Sequence, residues 1–193
     1  MRTRFIVFTM ILGVAILAWG QGDPWDIART TVGGKKVAIE YGRPNLKGRT
    51  LASLMQQLPP DRVWRAGAGP ITVLTTETDL LIGGKKIPAG SYSLYMYCPE
   101  SGDYALLINR DIGDSPDGIL PKATPDRGNR PYPHFMDYAG EIADKEVARV
   151  PLKKVSAPKT EVLIYSFEPA GKGVLLTISW GEQAWTTEFQ PAG

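Results

Sequence analysis

The chain has 193 residues, 43% hydrophobic and 22% charged, with 22 Lys+Arg against 20 Asp+Glu. That balance describes one ordinary globular domain and excludes disordered, collagen-like and strongly basic nucleic-acid-binding classes. One cysteine and one histidine exclude an intramolecular disulfide and a Cys/His zinc cluster within one chain.

The first element is a leader. Arg2 and Arg4 precede an almost unbroken apolar run from Phe5 to Ala18, and Ala18 and Gly20 stand at minus three and minus one before Gln21. This is the layout of a secretory signal peptide over residues 1–20. The run is shorter than the roughly 20 residues that cross a bilayer core, so no membrane span is expected after cleavage. Cleavage also removes two arginines, leaving 20 basic against 20 acidic residues in 21–193. Net charge then gives no attraction to nucleic acid, and the expected location is secreted or periplasmic.

The next elements read with period two, the mark of strands with one buried face. Val37, Ile39 and Tyr41 alternate with polar neighbours. Gly33-Gly34 before them, and Gly83-Gly84 in the similar segment Ile82 to Ile87, predict hairpin turns with lysine-rich flanks. Leu51, Leu54, Met55 and Leu58 follow i, i+3, i+4, i+7, with Thr50 as N-cap and Pro59-Pro60 as stop, predicting one short helix. Tyr92, Leu94, Met96 and Cys98 form a buried face, and Ser93, Tyr95 and Tyr97 an exposed row. Tyr104, Leu106 and Ile108 form the next strand. Arg110 to about Asp144 is a long proline- and aspartate-rich connection without strand period, expected to be a surface flap without a core. Three late strands follow, carrying Leu163 to Phe167, Val174 to Trp180 and Trp185 to Phe189, with turns at Ala170–Gly173 and Gly181–Gln183. The expected fold is all-β, an antiparallel β-sandwich of about eight to ten strands with one short helix. A partly closed β-barrel is the alternative, because periodicity fixes strand faces and not closure.

Chemistry is sparse. His134 and Cys98 do not sit in a nucleophile motif, and Cys98 continues a core face. Asp111, Asp114 and Asp117 supply oxygens for calcium but lack the EF-hand spacing. No catalytic residue, metal ligand or cofactor is assigned. The densest polar-aromatic cluster is Arg43, Arg49, Trp64 and Arg65, where guanidinium groups and an indole suit a carboxylate, phosphate or sugar ligand. Trp64 and Arg65, adjacent on a strand, point to opposite faces. Trp64 is assigned to the core and Arg65 to a buried structural role, with ligand binding as the competing reading.

Several segments occur in a familiar order: Tyr41-Gly42-Arg43-Pro44, Lys47-Gly48-Arg49, Val63-Trp64-Arg65-Ala66-Gly67-Ala68, Ile82 to Leu94, Leu107-Ile108-Asn109, Val147-Ala148-Arg149-Val150-Pro151 and Ser179-Trp180-Gly181. The chain resembles the secreted bacterial family catalogued as domain of unknown function 2911, from about Ile27 to Phe189. The resemblance implies an envelope or secreted protein with a mainly β domain and transfers no activity. The family's usual Thr-Gly-Ala-Asn-Glu after Trp-Arg is replaced here by Ala66-Gly67-Ala68-Gly69-Pro70. The expected function is a non-catalytic binding module of the cell envelope with a glycan or protein ligand. The alternative is an extracellular hydrolase using acidic residues.

Overall fold

A computed structural model describes residues 25–113 and 138–193. The leader and the central part of the long connection, including His134, Asp114 and Asp117, lie outside the described residues. The strands, in chain order, are β1 (Trp25–Val32), β2 (Lys35–Gly42), β3 (Val63–Trp64), β4 (Thr72–Thr76), β5 (Leu80–Ile82), β6 (Lys85–Ile87), β7 (Gly90–Tyr97), β8 (Tyr104–Asn109), β9 (Glu146–Ala170) and β10 (Gly173–Pro191). Hydrogen bonding links them in the order β1-β2-β4-β7-β8-β9-β10-β5-β6, with β3 beside β7. Every pairing is antiparallel.

The architecture turns on β9, which is 25 residues long. Its first part, Glu146 to Leu152, pairs with β8, and its later part, Lys153 to Ala170, pairs with β10. One strand therefore belongs to two layers, and the layers face each other across a shared core. Val37, Ile39, Leu94, Met96, Leu106 and Ile108 from one layer cluster with Leu163, Leu176, Ile178, Trp185 and Phe189 from the other. The sheet is antiparallel and not closed into a barrel, as the sandwich reading expects.

The period-two faces hold. Tyr92, Leu94, Met96 and Cys98 are all buried, as are Val174, Leu176, Ile178 and Trp180. Both predicted glycine pairs are two-residue turns. Gly33 and Gly34 have φ of 58° and 76°, Gly83 and Gly84 of 52° and 81°, and Val32 pairs with Lys35 as Ile82 pairs with Lys85. Positive φ at both central residues is the type I′ requirement that glycine meets without strain. Helix α1 (Leu51–Met55) starts at Thr50, whose side chain accepts from the Ser53 N–H at 3.1 Å.

Three expectations are corrected. The row Ser93, Tyr95, Tyr97 is not exposed: Ser93 and Tyr95 are buried and Tyr97 is half-buried. The reason lies in the end of the long connection, which has a core after all. Helix α2 (Tyr138–Glu141) and a 3₁₀ turn (Ala143–Lys145) lay Tyr138 and Ile142 on that face, against Ile71, Tyr95 and Leu107. The described residues thus contain two short α-helices, where one was expected. The third correction is at Gly181–Gln183, which is not a turn. β10 runs straight through it.

What the glycine there serves is a double bulge. From Ser179 to Gly181 to Gln183, β10 advances two residues at a time, while β9 goes from Ile164 to Thr160 to Ser156. The surplus residues of β9, including Pro158, leave the β10 ladder, Glu161 and Leu163 bonding instead to Leu46 and Pro44, and Gly181, with φ of 63°, faces Leu51. Pro cannot donate to a ladder and bulges absorb it. The Thr160 hydroxyl is buried here without a hydrogen-bond partner. A buried hydroxyl without a protein partner is a desolvation cost, so Thr160→Val, nearly isosteric, is expected to stabilise the domain by about 1 kcal/mol. Urea denaturation measures it, and a loss of stability would mean that a bound water satisfies the hydroxyl.

Candidate functional site

Each of the four sequence-selected residues makes contacts of its own within the fold. Trp64 faces inward, half-buried, and stacks on Trp180 with ring centroids 5.2 Å apart and planes 16° from parallel. Arg43 points Nε at the Leu163 carbonyl, 3.4 Å away, and its guanidinium lies 3.5 Å from Asp26. Arg49 donates to the carbonyls of Leu46 and Asn45 at 2.9 and 3.1 Å. These two arginines hold loop carbonyls where β2 leaves the sheet. Arg65 is exposed on the opposite face from Trp64 and donates to the Gly69 carbonyl at 3.3 Å.

The exposure of Arg65 overturns its assignment as a buried structural arginine. Among the described residues no carboxylate is stranded by its removal, so Arg65→Ala is expected to change stability by no more than about 0.5 kcal/mol. Chemical denaturation checks this, and a cost of several kcal/mol would restore the structural role. The segment following it is structural for another reason. Ala66 is fully buried with φ of 54°, and its carbonyl accepts from the Tyr165 hydroxyl at 2.7 Å and from Thr72 Oγ1 at 3.2 Å. Backbone in this conformation is held by its partners, not by local preference.

The outer face of β7 and β8 carries a closed polar network. Asn109 Nδ2 donates to the Tyr138 hydroxyl at 3.1 Å and to the Ile142 carbonyl at 2.8 Å. Tyr138 donates to Glu146 at 3.1 Å, and Arg149 makes a two-pronged contact with the same carboxylate at 3.1 and 3.0 Å while lying 5.5 Å over the Tyr97 ring. Asp111 meets Lys145 at 2.6 Å and caps Gly113 N–H at 2.9 Å. Each of these groups is occupied with another, which is how a network rigidifies a fold.

The buried thiol and several buried phenols are equally committed. Burial pushes the Cys98 thiol up from 9.0 to about 12, against a smaller opposing pull from Arg62, so it is protonated at neutral pH and a poor nucleophile. Burial likewise raises Tyr41, Tyr95, Tyr138 and Tyr165 above their ordinary 10.0. A proton held more tightly in the folded state stabilises it fully below the unfolded pKa and progressively less as pH climbs toward the folded one. Stability is therefore expected to be independent of these groups up to pH 9.0 and to fall steadily above it. Denaturation midpoints across the alkaline range measure this, with alkylation of Cys98 appearing only as the protein unfolds.

A different place is uncommitted. At the double bulge, Lys154, Val155, Ser156, Glu182 and Gln183 line a surface groove of about 420 Å³, within the range of ligand pockets. Among the described residues none of its four polar side chains makes a hydrogen bond or ion pair. The Lys154 ammonium lies 5.5 Å over the Tyr104 ring, and Tyr104 packs on Trp185 at 5.4 Å. Sequence reasoning missed these residues. The available signal was a proline, Pro158, and a glycine, Gly181, inside strand-like segments, which together mark a bulge. No cluster of three or more His, Cys, Asp or Glu able to hold a metal occurs among the described residues.

No curated protein and no solved structure matches the chain. A family model does, over residues 23–189, which is nearly its whole length. That span takes in the Ala66 carbonyl clasp, both glycine hairpins, the Asn109 network and the double bulge, so the chain belongs to the family described as protein of unknown function DUF2911.

Proposed function

We propose that this chain is a non-catalytic binding module of the bacterial cell envelope, secreted or periplasmic, whose ligand is a glycan or another envelope protein. The observation that carries the reading is the groove at the β9–β10 double bulge. It gathers an ammonium, a hydroxyl, a carboxylate and a carboxamide that make no hydrogen bond or ion pair among the described residues, on a sheet framework. Among the described residues elsewhere, groups suited to chemistry are occupied: Arg43 and Arg49 on carbonyls, Glu146 on Tyr138 and Arg149, and Cys98 as a buried thiol. Export rests on the basic residues and apolar run of the leader.

The hydrolase alternative requires two carboxyl groups roughly 5–10 Å apart in one cleft. The groove is lined by a single carboxylate, Glu182, and gives that alternative no support. The experiment expresses the full chain in a bacterial host, fractionates the cells, and screens the processed protein on a glycan array and by thermal shift against envelope polymers. The expected result is a product beginning at Gln21 in the periplasm or medium, with at least one polymer raising the melting temperature without being degraded. Full-length protein retained in the cytoplasm would overturn the location, and release of soluble fragments from a polymer would overturn the non-catalytic reading.

A further inference from the structure

We propose that the double-bulge groove is a site for an uncharged saccharide, with Lys154 and Gln183 donating to ligand hydroxyls and Glu182 accepting from them. The proposal rests on the binding-module reading and names the ligand class for it.

The argument begins with charge. The groove carries one cation, Lys154, one anion, Glu182, and two neutral groups that both donate and accept, Ser156 and Gln183. Such a lining has no net sign with which to select an anion or a cation, so selection falls to hydrogen bonding. Its inventory is mixed: ammonium and amide N–H groups donate only, the carboxylate accepts only, and the hydroxyl does both. A ligand matching this must offer donors and acceptors side by side. Neighbouring ring hydroxyls do so, since each gives one hydrogen bond and receives others. A carboxylate-rich polymer meets Lys154 but leaves Glu182 facing a like charge.

One further observation supports a built site over ordinary wet surface. The Lys154 ammonium is steadied by the Tyr104 ring beneath it, so less side-chain freedom is lost on binding.

The test titrates isotope-labelled mature protein with cellohexaose, maltohexaose and chitohexaose as neutral probes, and with hexagalacturonate and glycylglycine as charged ones. Backbone amide shifts locate each contact. Expected are saturable shifts confined to residues 154–156 and 182–183 with at least one neutral probe. Glu182→Ala and Gln183→Ala should each weaken that binding about tenfold, the usual consequence of losing a hydrogen bond to ligand, with unchanged melting temperature. Lys35→Ala, at the start of β2 and outside the groove lining, should leave affinity as it was. Tighter binding of hexagalacturonate or glycylglycine in the groove would overturn the ligand class while sparing the site. Neutral sugars that shift residues elsewhere would overturn the site while sparing the binding module. No response to any glycan or envelope polymer, here and in the array, would overturn both.

Discussion

Gly42→Ala is expected to leave no stably folded protein. A Cβ built on Gly42 would stand 1.8 Å from the Ala68 carbonyl oxygen and 2.8 Å from its carbonyl carbon. Both are backbone atoms, so no side chain can swing aside. The neighbouring contact is close as well: a Cβ on Gly67 would meet Thr72 Oγ1 at 2.6 Å and the Gly42 carbonyl oxygen at 3.2 Å. The end of β2 and the loop after Trp64 thus touch backbone to backbone. The loop cannot yield cheaply, because the Ala66 carbonyl is clasped by Tyr165 and Thr72 and Gly42 itself is held opposite Trp25 at the end of the β1–β2 ladder. Separating them breaks buried hydrogen bonds and opens the core around Tyr165. A cost above about 4 kcal/mol follows, in the range where a domain of ordinary stability no longer survives. Gly48→Ala is the control. It has φ of 78° but no atom within 4 Å of a built Cβ, so only conformational strain of about 1–2 kcal/mol applies. Near-ultraviolet circular dichroism and melting curves separate the two. A Gly42→Ala protein as stable as Gly48→Ala would show that the close approach is soft.

This glycine also shows where sequence reading succeeds and where it stops. Hairpins such as Val32 to Lys35 and Ile82 to Lys85 are local, so the residues that determine them lie within a few positions of one another and the pattern is legible. The faces of β2, β7 and β10 are legible for the same reason, since alternation is a local signal for burial. The Thr50 cap belongs to this class as well. What was not legible depends on which segment comes to rest on which face. Tyr95 has the spacing of an outward residue and is outward from the main core, yet Tyr138 arrives 43 positions later to cover it at 4.9 Å. Arg65 was placed inside because Trp64 and a glycine-rich break surround it, while its own face is decided by β3 pairing with β7. The groove is the clearest case. Gly181 looks like a turn in isolation, and only the surplus residues of β9 turn it into a bulge with Lys154 and Glu182 on one rim.

The covering of Tyr95 leads to the second large effect. Asn109→Ala is expected to cost about 3–4 kcal/mol and to loosen the segment from Tyr138 to Lys145. Asn109 is fully buried at the end of β8, and its side chain binds three ways: Nδ2 to the Tyr138 hydroxyl and the Ile142 carbonyl, and Oδ1 to the Asp111 N–H at 2.8 Å. It therefore fastens both ends of the connection, where the chain leaves the sheet at Asp111 and where it returns through Ile142. Alanine removes the carboxamide and leaves the Ile142 carbonyl and the Asp111 N–H without that partner. The Ile142 carbonyl keeps the Lys145 N–H, so the cost is that of three lost hydrogen bonds at roughly 1 kcal/mol each, plus the space left by the side chain. Tyr138→Phe deletes only one hydroxyl from the same network and is expected to cost about 1 kcal/mol. Because the two side chains touch, their effects should not add, and a double-mutant cycle should return a coupling of at least about 0.5 kcal/mol. Hydrogen exchange supplies the second readout: in Asn109→Ala the amides of Ile142 and Lys145, bonded to the Tyr138 and Ile142 carbonyls, should lose protection before those of β7 and β8. A loss below about 1 kcal/mol, with exchange unchanged, would mean that Tyr138 and Ile142 hold this face by apolar packing on Tyr95 and Leu107 alone.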